Sequence, residues 1–325
     1  MPNTPGELTV VQPTTRDRIY LAGFLLGSGL LLYSSRGLLT RSALVTWSLT
    51  FAGTTAAAVL GMALYRVQHE LRASRHELAR KEAEINFALQ VQQALFPRQF
   101  PADGGLEFAA VCVPARGISG DYYDVFSLPG GRLVFVLADI SGKGISAAIL
   151  MSNLQAVLHT VAEAGLPAGE VCAQINRHLC RVTDAARFAT LFYAEWNPSE
   201  QSLHYVNAGH LLPIVHGSLR GQRLDQGGPP VGLFVTSQFE VGKVALEQGD
   251  TLVLYSDGIT EAMTKQGEEF GEARLEAVVG AHSTRPLIEI QQRVLGAVRD
   301  WAGPELADDV TLLLVRATAL VQEGA

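Results

Sequence analysis

The feature that most constrains the fold is a unit that recurs through the C-terminal part of the chain: a short apolar run that ends in a polar cluster, often beside glycine. "LEFAAVCV", "RLVFVLAD", "RFATLFYAEW", "SLHYVNAGH", "DTLVLYSDG" and "DVTLLLVRA" read as strands, several of them ending in such a cluster. Between the second and third, Ile145 to Ala164 and Ala168 to Val182 carry apolar residues at helical spacing, as does Pro286 to Trp301 near the end. No repeat of fixed period is present. Many strands with few inserted helices predict stacked sheets flanked by helices, an α+β architecture, and not a doubly wound parallel sheet.

Upstream the chain changes character. Ile19 to Ser35 and Ser42 to Tyr65 contain no charged residue. A spanning helix needs about 20 predominantly apolar residues, so the two stretches predict a transmembrane hairpin; a cleaved leader would not be followed at once by a second apolar run. Arg16 and Arg18 precede the first stretch, and Arg66, Arg72 and Arg75 follow the second, against Arg36 and Arg41 between them. The positive-inside tendency then puts both ends in the cytoplasm, giving a multi-pass protein of the inner (plasma) membrane.

From Arg66 to Leu95 there is neither Gly nor Pro, and Leu71, Leu78 and Ile85 fall seven apart, with Ala88 and Leu95 extending a second apolar row. This predicts a linker helix ended by Pro97, with an imperfect coiled-coil seam that favours a homodimer. The expected organisation is an N-terminal cytoplasmic segment at 1–18, a hairpin at 19–65, the linker helix at 66–97, a catalytic domain at 98–318 and a tail at 319–325.

Composition narrows the function. The 325 residues are 48% apolar and carry a formal charge of -7, without the basic stripe that nucleic acid requires, so nucleic acid is excluded as a partner. Cys112, Cys172 and Cys180 form no C-x-x-C pair and are read as core thiols in a reducing compartment.

The acids at the strand ends carry the chemistry. Asp121 and Asp124 lie in "ISGDYYDVF", Asp139 in "LADISGKG", Asp257 in "LYSDGITEA", and Asp308 and Asp309 in "LADDVTLLL". Any one of them could be a turn residue. As a set they suggest convergence on a cation, because unpaired buried carboxylates are costly. Oxygen donors without His or Cys suit Mg2+ or Mn2+ and argue against zinc. Two such ions roughly 3.5 to 4 Å apart clamp a phosphoryl group and activate water, which makes the expected chemistry phosphate-ester hydrolysis. "DISGKGISAA" lacks the spacing of a P-loop, so nucleotide binding is not indicated.

Beyond these single features, "VQQALFPRQFP", "ARGISGDYYDVFSLPGGRLVFVLADISGKGISAAILMS", "RFATLFYAEWNPSEQSLHYVNAGHLLP", "GGPPVGLF", "LEQGDTLVLYSDGITEAM", "GEEFG" and "ADDVTLLLVR" resemble, in this order, the bacterial SpoIIE/RsbU-type branch of the metal-dependent type 2C protein serine/threonine phosphatases. The resemblance covers about Glu84 to Ala317. It implies a four-layer α/β/β/α sandwich, here preceded by two transmembrane helices and a linker helix. It also implies two Mn2+ or Mg2+ ions, with Asp139 bridging them, Ile140 giving its backbone carbonyl, and Asp257 and Asp308 as further ligands. Asp121 matches an acidic position that holds a metal through water, Asp309 stands where Asp or Asn is frequent and is, with Asp308, a candidate for the metal ligand of that pair, and Asp124 belongs behind the ligands. Asp139, Asp257 and Asp308 are the expected catalytic set.

The same resemblance makes "NAGH", with His210, a hallmark of the branch; at a strand end the histidine is read as structural. Gly142 and Gly144 are expected to let the backbone pass close to the metals before the helix at Ile145. Ser119 and Ser256 replace a frequent glycine and threonine without removing a ligand. The implied activity is hydrolysis of phosphoserine or phosphothreonine by a metal-bound hydroxide, with a phosphorylated anti-sigma-factor antagonist as substrate in a partner-switching pathway. The alternatives are a non-catalytic signalling scaffold and a phosphatase of a small phosphorylated metabolite. Dimer geometry of the linker is expected to set the site by biasing the region of Asp139 and the helix after it.

Overall fold

The computed structural model describes residues 15–34, 43–102, 104–115, 117–142, 144–183 and 187–319. Most of the predicted N-terminal segment, the Arg36–Arg41 connection and nearly all of the tail lie outside them. The chain divides into two compact units, Met1–Arg80 and Lys81–Ala325, so the division falls inside the linker helix and not at its end.

The first unit is helical. Helix α1 is Thr15–Ser34, and α2, Ala43–Gln93, joins the second apolar stretch to the predicted linker without a break. Among the described residues one helix, Val45–Gln93, is long and apolar enough to cross a membrane. Its apolar side chains face outward: Leu49, Phe51 and Leu60 are exposed.

The second unit is built on two sheets. Strands β1 (Leu106–Val113), β10 (Val310–Ala317), β9 (Thr251–Tyr255) and β6 (Ile214–His216) form one, in that order. The other runs β2 (Asp121–Ser127), β3 (Leu133–Ile140), β4 (Ala189–Asn197), β5 (Ser202–Ala208) and β7 (Gly227–Gly228), with β8 (Gly242–Ala245) also paired to β5. Helices α3 (Ile145–Ala162) and α4 (Ala168–Val182) cover the second sheet, and α5 (Asp257–Thr260), α6 (Gly271–Ala281) and α7 (Leu287–Ala302) belong with the first.

Strand periodicity builds the layers. In β3, Val134, Val136, Ala138 and Ile140 pack under α3 and α4, while the alternating Leu133, Phe135 and Leu137 face the other sheet. In β10, Leu312 and Leu314 turn to α6 and α7, while Leu313, Val315 and Ala317 enter the layer between the sheets. Both faces of each strand are covered, which is why these runs read as nearly continuous apolar sequence. The result is the expected α/β/β/α sandwich.

The C-terminal end of α2 belongs to this unit. Gln92 is buried; its amide nitrogen donates to the Ser119 carbonyl at 2.6 Å, and its oxygen accepts the Ser119 N–H at 3.0 Å. Leu95 and Phe96 then join the core, with the Phe96 ring stacked 4.8 Å from that of Tyr123. Of the three thiols, only Cys172 is a fully buried core residue; Cys112 and Cys180 are half-buried, a correction to the expectation that burial holds all three.

Candidate active site

Four chain segments end at one edge of the sandwich. Asp121 opens β2 and lies directly across from Asp139 near the end of β3. Asp257 opens α5 immediately after β9, and Asp308 and Asp309 precede β10. The antiparallel pairing of β9 with β10, Tyr255 opposite Leu312, brings the last two segments together.

The approach is close enough to require glycine. A Cβ on Gly258 would stand 2.0 Å from the Asp309 carbonyl oxygen, and one on Gly120 would stand 3.1 Å from the Ile140 carbonyl oxygen and 3.6 Å from Asp139 Oδ1. The Ile140 carbonyl is therefore held at the site edge while its side chain is buried in the core under α3. Gly142 and Gly144 take φ of 103° and 74°, and Gly144 caps α3, so the turn after Asp139 has the backbone freedom its sequence suggested.

The electrostatics show what kind of group the donors fit. Asp121 is buried, and its Oδ2 has no hydrogen-bond partner among the described residues. Burial first, and Asp139 beside it second, push the Asp121 carboxyl well above the usual carboxylate range; Thr311 and Ser256 nearby only partly offset this. An orphaned carboxylate oxygen in an all-oxygen donor set fits a hard divalent cation. Burial, and then Asp121, push the Cys112 thiol up to about 12. Among the described residues no three Asp, Glu, His or Cys side chains are gathered closely enough to hold a metal ion by themselves. The acids stand instead as Asp121 with Asp139 on one sheet and Asp257 with Asp308 on the other.

Asp309 has a separate task. Its Oδ1 accepts the Ala115 N–H and its Oδ2 the Gly120 N–H, both at 2.8 Å, fastening the β1–β2 loop to the start of β10. Ser256 adds to this joint: its Oγ donates to the Asp309 carbonyl at 3.0 Å and accepts the Thr311 N–H at 2.9 Å. Asp124 lies behind the site, where it accepts the Tyr122 hydroxyl at 2.6 Å and pairs with His159 Nε2 of α3 at 2.7 Å. His210 is buried between the sheets, with Nδ1 2.8 Å from the hydroxyl of Thr190, the residue opposite Asp139 on β4. Burial lowers its pKa to about 4, so the ring is neutral, although the Tyr255 carbonyl favours the proton.

One acid escaped the sequence reading. Glu261, in "DGITEA", has its carboxyl raised by desolvation and then by Asp257, Glu269 and Asp308. Its place four residues after Asp257, just past the short helix α5, was the available signal.

Similarity to known proteins agrees with this arrangement. The family model described as Stage II sporulation protein E (SpoIIE) matches residues 129–318. Phosphoserine phosphatase RsbU of Bacillus subtilis is 31% identical over 259 residues, which cover 79% of this chain and 75% of RsbU. The solved RsbU and RsbW domains of a Mycobacterium tuberculosis protein superpose with a TM-score of 0.60 at 27% identity, covering 68% of this chain and 62% of that one. The SiaA-PP2C domain of Pseudomonas aeruginosa, at 19% identity, shares the fold with a TM-score of 0.66 over 74% of this chain and 98% of its own. The chain belongs to the SpoIIE family and carries a serine/threonine phosphatase domain of the PP2C type.

Proposed function

We propose that the chain hydrolyses phosphoserine or phosphothreonine on a protein, with Asp139, the Ile140 carbonyl, Asp257 and Asp308 holding two Mg2+ or Mn2+ ions and Asp121 supporting them. The observation that carries the metal reading is the buried Asp121 oxygen without a partner, facing Asp139. When bound, such ions lower the pKa of a coordinated water and neutralise charge on the phosphoryl group. The chain's own part is to fix the donors. Asp309 immobilises the β1–β2 loop, Gly120 and Gly258 let backbones approach, and neutral His210 bonds to Thr190 without adding charge. We assign the metal to Asp308 of the adjacent pair, a choice supported by the two backbone amides that Asp309 already serves.

Kinship supports the reading of the substrate class. RsbU is named a phosphoserine phosphatase, and by its kinship the substrate here is a phosphorylated anti-sigma-factor antagonist in a partner-switching pathway. The apolar part of α2 and the stretch before it tether the enzyme to the membrane with the catalytic unit in the cytoplasm, and α2 mediates a homodimer. The test is phosphate release by the full chain from a phosphoserine peptide and from p-nitrophenyl phosphate, with and without Mn2+. Turnover that requires Mn2+ and is lost in Asp139→Ala and Asp257→Asn is expected. No turnover of either ester would leave the scaffold reading, and turnover of the free ester alone would favour a small metabolite.

A further inference from the structure

Beside the carboxylates lies a recess of ≈ 460 Å3, between the loop that follows β1 and the segment that leads into β10. Pro114 and Ala115 line it from the first, Pro304, Glu305 and Leu306 from the second, and Arg299 enters from the last turn of α7. Hydrogen bonding fixes its position relative to the site. The Ala115 N–H donates to Asp309 at 2.8 Å, and Leu306 precedes Asp308 by two residues. A phosphoseryl side chain at the carboxylates would lead its own polypeptide past this recess.

The lining specifies what the recess would accept. Its volume suits a few side chains, and prolines on two sides restrict the backbone, so it is formed before any ligand arrives. Arg299 is solvent-exposed and makes no ion pair among the described residues, whereas Arg132, Arg177, Arg220 and Arg274 each hold a glutamate. With two divalent cations held there, the carboxylates would be largely neutralised, and Arg299 is the fixed positive charge on the recess wall able to favour an acidic flank. Glu305 lines the same recess and opposes a run of acids, which leaves room for a single one.

We propose that this recess is a docking subsite for the substrate polypeptide, in which Arg299 selects one acidic side chain a few residues from the phosphorylated residue. The proposal rests on the phosphatase reading above and adds sequence selectivity to it. It is tested with the full chain, Mn2+ and two sets of phosphoserine peptides that carry either Asp or Lys at single positions within four residues of the phosphoserine. The readout is the ratio of kcat/KM, Asp over Lys, taken within each protein so that any general change in activity cancels.

At one or more positions the wild-type ratio should exceed unity by about two- to fivefold, the scale of an exposed charge pair. It should fall towards unity in Arg299→Ala and invert in Arg299→Glu. The same ratio at every position in all three proteins overturns the subsite while leaving the phosphatase standing. If the wild-type chain turns over neither peptides nor p-nitrophenyl phosphate, the functional reading fails instead. Peptide affinities, measured as the same ratio by fluorescence anisotropy, then decide the subsite independently.

Discussion

Asp308 and Asp309 are neighbours with different work, and their substitution should separate it. Asp309→Ala strips the Ala115 and Gly120 amides of their acceptor at a half-buried position, so unfolding free energy should drop by about 2 kcal/mol or more. Asp309→Asn keeps one acceptor oxygen and should lie between. Asp308→Ala should leave stability within about 1 kcal/mol while abolishing turnover. Urea denaturation and phosphate release on the same three variants check this; equal destabilisation by the Asp308 and Asp309 changes would refute the division.

His210 makes a second prediction at this scale. Its folded pKa of about 4 lies below the ordinary 6.5, so between these values the unfolded chain binds the extra proton. Stability from this group is complete above pH 6.5 and is lost as pH falls towards 4, up to about 3 kcal/mol. Replacing the imidazole in His210→Gln should flatten the difference between denaturation curves at pH 7 and pH 5. An unchanged difference would show that the imidazole is not buried neutral.

At the scale of elements, the strands that could be read were those with both faces apolar, such as Leu133 to Ile140 and Val310 to Ala317. Strand β2 escaped because Asp121 and Asp124 interrupt "DYYDVFS"; both are buried, one at the site and one satisfied by Tyr122 and His159. Short β6, β7 and β8 carry too few residues for a period to register, and the α6 sequence, "GEARLEAVVGA", buries only Leu275 and Val279. Asp139 and Asp257 were legible because they close apolar runs, and Asp308 and Asp309 because they open one. Asp309's grip on the loop was not, since it depends on residues nearly two hundred positions away.

The joint between α2 and the site is the element with most leverage. Gln92 bonds both backbone groups of Ser119, whose hydroxyl in turn accepts the Asp121 N–H, and its amide also reaches the Met151 sulfur of α3 at 3.4 Å. Any shift of this helix end is thereby felt at Asp121 and at α3 together. Gln92→Ala should cost about 1 to 3 kcal/mol, from buried groups left unpaired. Turnover should fall further than the small loss of folded protein explains, with p-nitrophenyl phosphate as the probe. Full turnover in a destabilised variant would reduce the contact to simple packing.

For the whole molecule, the linker seam has to be divided. One face of an α-helix holds positions seven apart, and on α2 that face carries Leu71, Leu78, Ile85 and Gln92. Its last members are engaged within the catalytic unit, with Ile85 3.4 Å from where a Cβ on Gly117 would stand and Gln92 bonded to Ser119. Leu71 and Leu78, at 52% and 57% exposure, are left uncovered and are the positions a second copy would bury. Leu71→Asp with Leu78→Asp should therefore convert a detergent-solubilised dimer into monomer, because desolvating opposed carboxylates in a helix seam is strongly unfavourable. Sedimentation velocity reads the mass, and phosphate release on the same samples reads the coupling. If the dimer sets the position of α2, and through Gln92 that of the Ser119–Asp121 loop, turnover should change with mass. A doubly substituted chain that stays dimeric places the interface elsewhere, and one that turns monomeric with unaltered turnover uncouples assembly from catalysis.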